Sequence, residues 1–248
     1  MKGKSAGFSI VVPVHNVEEN IECLVAEIHR AMPQPSRFEI IYVDDGSDDA
    51  TPSRLAAARS RFPLLRSVRH SRRCGQSAAL LTGVKCAQYP WIATLDGDCQ
   101  NDPRDLPAVL AIAAECHDVA SPQLVAGLRR LRQDSWVRRL SSRVANAVRR
   151  RFLHDEIFDT GCGLKAFRRD DFLALPYFDH MHRFLPALFL RNGGKVHVLP
   201  VSHRPRLRGQ SKYGVGNRLL VGIIDLFGVW WLQHRVTLPV IVRDGDES

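Results

Sequence analysis

Four times in its first 115 residues the chain runs an apolar, strand-like segment into a segment of helical spacing. FSIVVPV (8–14) precedes Val17 to Arg30, where Ile21, Leu24, Val25 and Ile28 recur at helical intervals. FEIIYVDD (38–45) precedes a helix opened by Thr51-Pro52, an N-cap residue and a first-position proline, and running through Arg61. LLRSVR (64–69) precedes Ser77 to Ala87, and WIATLD (91–96) precedes a helix that Asp102-Pro103 opens and that ends near Ala114. DVASPQLVAG (118–127) reads as a fifth strand. So regular an alternation leaves few folds open. It predicts an α/β chain built on a mostly parallel, doubly wound sheet with helices on both faces. Ligands of such sheets gather at the carboxyl ends of the strands. Here those ends carry acids, Asp44-Asp45 and Asp96-Asp98.

The second of these ends is the more telling. In DGDCQND, Asp96, Asp98, Gln100 and Asp102 fall at alternate positions, and carboxylates this close repel unless a cation lies between them or water screens them. A calcium loop of the EF-hand kind would need glycine at the sixth position and glutamate at the twelfth, where this chain has Asn101 and Pro107. Two readings are left: a hard cation such as Mg²⁺ or Mn²⁺ shared with a ligand's diphosphate, or a very polar turn.

Composition narrows the partner. The 248 residues are 45% hydrophobic and 25% charged, which suits a soluble domain with a sizeable core, and the formal charge of +9 favours an anionic partner. Six scattered cysteines without a CxxC pair argue against a zinc site and fit a reduced, cytoplasmic protein. The N-terminus reads as a first strand rather than a signal peptide, and the tail VRDGDES as disordered. The longest apolar stretch, Leu219 to Leu232, has 14 residues and contains Asp225, short of the roughly 20 that a membrane span needs.

The second half is markedly basic. From Gly127 to Arg151 there are nine arginines against one acid, Asp134. On a helix, Trp136, Val137, Leu140, Val144, Ala147 and Val148 share one side, with Arg138, Arg139, Arg143, Arg149 and Arg150 opposite. A second basic segment, HRPRLRGQSKYGVGNR, reads as a mobile loop. It leads into LLVGIIDLFGVWWLQHR, a helix for the core or for a membrane interface.

Together with PVHNVEENI after the first strand, DDGSDD after the second and RHSRRCGQSAALLTG after the third, the acid row resembles the family 2 glycosyltransferases of the GT-A fold. Within them it is most similar to the dolichol-phosphate mannose synthase-like group that glycosylates polyprenyl phosphates. DTGCGLKAFRRD, HRFLPAL and VSHRPRLRGQSKYG continue the resemblance, which covers about residues 8 to 235. It implies a catalytic domain over 1–203, with a basic loop, a membrane-facing helix and a tail over 204–248 belonging to the same domain. Pro13, His15 and the acid region near Glu18, with Asp44 and Asp45, would hold the nucleotide's base and ribose. Val17 stands where the family usually has glutamate, which leaves GDP- and UDP-sugars both open. Arg73 and Gly75 would lie near the nucleotide. Asp96, Asp98 and Gln100 match the family's DxDxQ, which holds Mg²⁺ or Mn²⁺, the diphosphate and the sugar. Arg129 and Arg143 would clamp the acceptor phosphate, and Arg206, Arg208 and Lys212 would close over both phosphates.

The reaction then implied is an inverting transfer, mannose being the first expectation, to a polyprenyl phosphate at the inner membrane face. A phosphate monoester is already ionised at neutral pH and attacks without a general base. Two rivals stand beside this. A hydroxyl acceptor on a glycan or lipid would need an essential acid beyond the metal row. A basic nucleic-acid or membrane-binding module would explain the arginines but not the acid-lined strand ends. The resemblance implies no nucleic-acid partner.

Overall fold

The structure is a computed structural model, and it describes residues 7–33, 37–116, 120–129, 152–153, 161–205 and 215–237. Five of its strands and four of its helices realise the alternation: β1 (Phe8–Val14), α1 (Ile21–Ala31), β2 (Phe38–Asp44), α2 (Thr51–Arg61), β3 (Leu65–Arg69), α3 (Gln76–Cys86), β4 (Trp91–Thr94), α4 (Leu106–Glu115) and β5 (Gln123–Arg129). Then follow β6 (Lys165–Arg168), α5 (Arg169–Leu173), α6 (Leu185–Arg191), β7 (Lys195–Val201) and α7 (Val215–His234). The seven strands lie in the order β3-β2-β1-β4-β6-β5-β7.

Side-chain alternation sorts the core into two layers. Ile10, Val12 and Val14 of β1 with Ile40 and Tyr42 of β2 face α1, α2 and α4, through Leu24, Ile28, Leu55 and Val109. Val11, Ile41 and Val43 face the other way, onto Leu80 and Val84 of α3, in a cluster that extends to Phe172 of α5, Leu188 of α6 and Val229 of α7. Both faces of β1 and β2 are therefore apolar, the pattern of a strand buried between helices.

The sheet is mostly parallel, as expected: β6 alone runs antiparallel, to both β4 and β5, while β7 is parallel to β5. Two element boundaries need correction. α1 begins at Ile21 rather than Val17, since Val17 donates its amide to Thr51 Oγ1 at 2.9 Å and the chain makes a turn before entering the helix. β5 begins at Gln123, directly after Pro122, which has no amide for pairing. The expected basic helix around residues 136–150 lies outside the described residues.

Candidate active site

The loops after β1 and β2 are stitched to each other. Asn16 donates its amide to Ser47 Oγ at 2.9 Å and accepts the Asp48 amide at 3.0 Å. Glu18 accepts the Ala50 amide at 2.8 Å and donates its own to Asp49 at 3.3 Å, so this acid caps the start of α2. His15 donates from Nδ1 to the Asp45 carbonyl at 3.0 Å. Asp44 is buried, accepting the Ser47 amide at 3.0 Å and pairing with Arg69 at 3.2 Å.

Asp45 anchors the third loop. Its carboxylate accepts the amides of Cys74 at 2.8 Å and Gly75 at 2.7 Å, and the His70 ring at 2.8 Å. Burial pushes the Asp45 carboxyl up, but these hydrogen bonds outweigh it and hold its pKa below the usual value. Gly46 lets the loops close: at φ 66°, a Cβ there would lie 2.5 Å from the Arg72 carbonyl carbon. Arg73 is exposed on this loop. Asp45, His70 and Cys74 bring potential ligand atoms within 4.8 Å of one another, yet both His70 nitrogens are engaged, the second with Thr82 Oγ1 at 2.9 Å. That cluster is a hydrogen-bonded scaffold that needs no cation.

The turn after β4 is built differently. Asp98 accepts the Gln100 amide at 3.2 Å, and Cys99 between them takes φ 59°, a left-handed conformation costly for a residue with a Cβ. This turns the thiol into the core, where burial pushes its pKa up to about 12, and leaves Asp98 and Gln100 partly exposed. Asp96 accepts from Gln76 Nε2 at 2.9 Å. Dense surroundings and then repulsion from Asp98 push its carboxyl up to about 6, although Lys165 and Arg129 pull the other way. Gly163 sits against it so closely that a Cβ would lie 2.3 Å from Asp96 Oδ2. The Gln100 side chain has no hydrogen-bond partner among the described residues. Two mutually repelling carboxylates and a side-chain amide make a hard, all-oxygen donor set with no sulfur turned toward it, which fits Mg²⁺ or Mn²⁺.

Asp96 opens onto a cavity of about 200 Å³ lined among others by Pro13, Gln76, Thr94, Lys165, His182 and Arg183. Pro13, opposite Val43 and two residues before His15, thus borders this cavity as well as the first two loops. Lys165 donates to the Cys162 carbonyl, and Thr94 Oγ1 to the Gly163 carbonyl at 2.6 Å. Lys165, Gln76 and His182 were missed as site residues; all three stand inside motifs quoted above, but only the fold brings them to Asp96.

Past β7 the chain is fastened to the acid turn. Arg204 donates its amide to the Gln100 carbonyl at 2.8 Å, and its guanidinium pairs with Glu27 at 2.6 Å and Asp102 at 2.7 Å. His203 forms a bridge with Asn101. Arg204, which stands in the basic segment ahead of Arg206 and Arg208, is thus committed to two carboxylates. Arg143, Arg206, Arg208 and Lys212 lie outside the described residues.

A family model described as Glycosyl transferase family 2 matches residues 9–175. The chain is 35% identical over 241 residues to dodecaprenyl-phosphate galacturonate synthase of Rhizobium johnstonii, covering 95% of this chain and 70% of that protein. It is 36% identical over 222 residues to undecaprenyl-phosphate 4-deoxy-4-formamido-L-arabinose transferase of Pseudomonas aeruginosa, covering 88% and 63%. The chain thus spans about two thirds of the length of these relatives. Among solved structures, glucosyl-3-phosphoglycerate synthase from Mycobacterium tuberculosis, in complex with Mn²⁺, UDP-glucose and phosphoglyceric acid, superposes with a TM-score of 0.69 at 20% identity, covering 95% of this chain and 81% of that one. The same enzyme with Mg²⁺ and UDP gives 0.69 at 20% identity, covering 90% and 80%.

Proposed function

The chain belongs to glycosyltransferase family 2 and has a GT-A fold, and from that premise we propose that it transfers a sugar from a nucleotide sugar to a polyprenyl phosphate, with a divalent cation and with inversion. The observation that carries this reading is the Asp96–Asp98 turn, two mutually repelling carboxylates at the carboxyl end of a central strand, beside a loop whose carboxylate is held in place by two amides.

Each part of the chain has a task in this reaction. The Asp45 loop and the amino end of α3, which Gly75 precedes, receive the nucleotide, a helix start being suited to phosphate. Asp96, Asp98 and Gln100 would hold Mg²⁺ or Mn²⁺, which when bound neutralises charge on the departing diphosphate. Arg129, at the end of β5 and close enough to act on Asp96, favours an anionic acceptor next to the donor. The acceptor oxygen forms a bond to the anomeric carbon as the bond from that carbon to the diphosphate breaks. No side chain has to remove a proton, because the phosphate is already ionised. Arg143, Arg206, Arg208 and Lys212 are proposed as further phosphate contacts on the resemblance alone.

The names of the relatives carry galacturonate and a formamido-arabinose, and the solved complexes carry UDP. UDP-sugars, open from the sequence beside GDP-mannose, therefore gain support as donor candidates. Among the described residues no helix is long and apolar enough to cross a membrane. α7 nevertheless turns Ile223, Ile224, Phe227, Trp230 and Trp231 outward, while Leu226 and Val229 pack inward. Phe152 stacks edge-on against Phe227, directly after the segment with nine arginines. An exposed apolar stripe, in a chain whose sequence concentrates this much positive charge, suits an anionic lipid surface, which we take as the place of the acceptor. The six free thiols are in the state a reducing compartment maintains, which supports the cytoplasmic face.

The test is nucleoside diphosphate release from a panel of GDP- and UDP-sugars, with Mg²⁺ or Mn²⁺ and a short polyprenyl phosphate. Release that needs both metal and lipid phosphate is the expected result. Slow hydrolysis indifferent to the lipid would move the acceptor elsewhere.

A further inference from the structure

The cavity beside Asp96 contains one polar atom for which the site described so far has no use. His182 lies on a short turn, Met181–Arg183, entered through His180 at φ 66°. Its Nδ1 is 2.8 Å from Ser77 Oγ, and its backbone amide donates to that same oxygen at 3.3 Å. The Ser77 hydroxyl has no acceptor for its own proton among the described residues other than Nδ1, so it donates there. The ring then accepts at Nδ1 and carries its proton on Nε2. Burial, then the charge of Arg183, push the imidazole pKa down to about 3, so the ring is neutral at physiological pH.

Ser77 is the ring's one hydrogen-bond partner among the described residues, and the ring lines the cavity. The Nε2 proton therefore has no acceptor among the described residues, and the ring borders open space. Such a group is satisfied by water or by a ligand oxygen. The neighbouring polar groups are otherwise occupied: Thr94 Oγ1 bonds Gly163, Lys165 bonds Cys162, and Gln76 Nε2 bonds Asp96.

We propose that His182 is a specificity contact for the donor sugar, donating from Nε2 to a sugar oxygen seated in the cavity beside Asp96. This rests on the nucleotide-sugar reading above. The space, about 200 Å³, is smaller than the roughly 300 Å³ at which drug-sized pockets begin, and suits one sugar ring rather than a nucleoside. Leu80, Leu95 and Leu185 supply apolar wall for the C–H face of such a ring. A neutral donor also discriminates by the position of an oxygen. A charged one would be drawn to the diphosphate instead.

The experiment compares wild type, His182→Phe and His182→Gln, the last able to return an N–H near the Nε2 position. Binding of each nucleotide sugar in the donor panel is measured beside its own nucleoside diphosphate, with Mn²⁺ present. The expected result is about a tenfold loss for the sugar nucleotide in His182→Phe, the scale of one hydrogen bond left unmade. Binding of the bare nucleoside diphosphate stays unchanged, and His182→Gln recovers part of the loss. Equal weakening of both ligands would make His182 merely structural, and no change in either, or a change only in the KM for lipid phosphate, would overturn the proposal. Long-range ¹H–¹⁵N spectra of the free protein test the tautomer independently of any donor. A proton on Nδ1 at pH 7 would defeat the inference while leaving the glycosyltransferase reading untouched, and absence of all nucleotide binding would defeat that reading itself.

Discussion

The two sides of the site treat their polar groups in opposite ways. After β1, β2 and β3, nearly every charged side chain is answered from within: Glu18 caps α2, Asp44 pairs with Arg69, and Asp45 accepts two amides and an imidazole. After β4, Asp96 and Asp98 repel each other, the Gln100 side chain has no partner among the described residues, and His182 faces a cavity. The first side is a finished scaffold that holds its shape without ligand. The second holds two like charges side by side, a repulsion that a bound cation would offset. Removing Asp98 should therefore be lethal to turnover and harmless to folding. Asp98→Ala is expected to lower kcat by about 10²–10³-fold, the scale of losing a main electrostatic contact in a transition state, with Tm held or raised. Asp45→Ala should lower Tm as well as nucleotide affinity, since three donors lose their acceptor. Matching Tm losses in the two variants would erase the contrast.

A second contrast runs through α7, and its expected effect is the next in size. The inward residues Leu226 and Val229 are packed, whereas Ile224 is 63% exposed, Phe227 54% and Trp231 53%. Phe227→Ser with Trp231→Ser should weaken binding to vesicles containing anionic lipid by about tenfold per residue. Burying a Phe-sized side chain is worth about 1.5–3 kcal/mol, and insertion at an interface is partial. Turnover with a short, dispersed polyprenyl phosphate should change little. Flotation with such vesicles reads the first effect and diphosphate release the second. If binding survives both substitutions, the lipid contact lies elsewhere.

Much of this was legible in the sequence wherever a signal is local. The alternation located the first five strands within a few residues, and Asp102-Pro103 opens its helical turn as expected, the carboxylate accepting the Arg104 amide at 3.0 Å. What escaped was set by tertiary pairing. KAFR is too short to announce that β6 runs antiparallel between β4 and β5. Nothing in the order of residues says that Ser77 meets His182 across 105 positions. Glu18 lies in a loop expected to touch nucleotide, yet its carboxylate caps α2, because a helix start nearby left an amide to satisfy. Arg204 looked like its basic neighbours until the fold gave it two acids.

Asp102 sharpens the comparison through pH. It is buried; burial raises its pKa, but Arg104 and Arg204 outweigh this and hold it at about 2. A carboxyl depressed in the folded state stabilises above its unfolded pKa and loses that stability as pH falls through its folded one. Asp102→Asn should therefore cost about 2 kcal/mol at pH 7, the shift being nearly two units. The difference from wild type should shrink between about pH 4 and pH 2. Urea unfolding across that range measures it. A penalty that did not change with pH would mean the substitution acts through packing.

The smallest effect separates the stem of the basic loop from the loop itself. Arg204 is only a quarter exposed, and its guanidinium joins Glu27 on α1 to Asp102 beside the acid turn. Asp102 keeps Arg104 when Arg204 is removed, so Arg204→Ala should cost about 1 kcal/mol, near the upper end for ion pairs open to solvent. Glu27→Gln should cost less, and the double variant little more than Arg204→Ala alone, because the two substitutions break one shared contact. The KM for lipid phosphate should stay near wild type in all three. A several-fold rise in that KM with Tm unchanged would add Arg204 to the phosphate-binding set and place the start of substrate binding one residue beyond the bridge that His203 makes with Asn101.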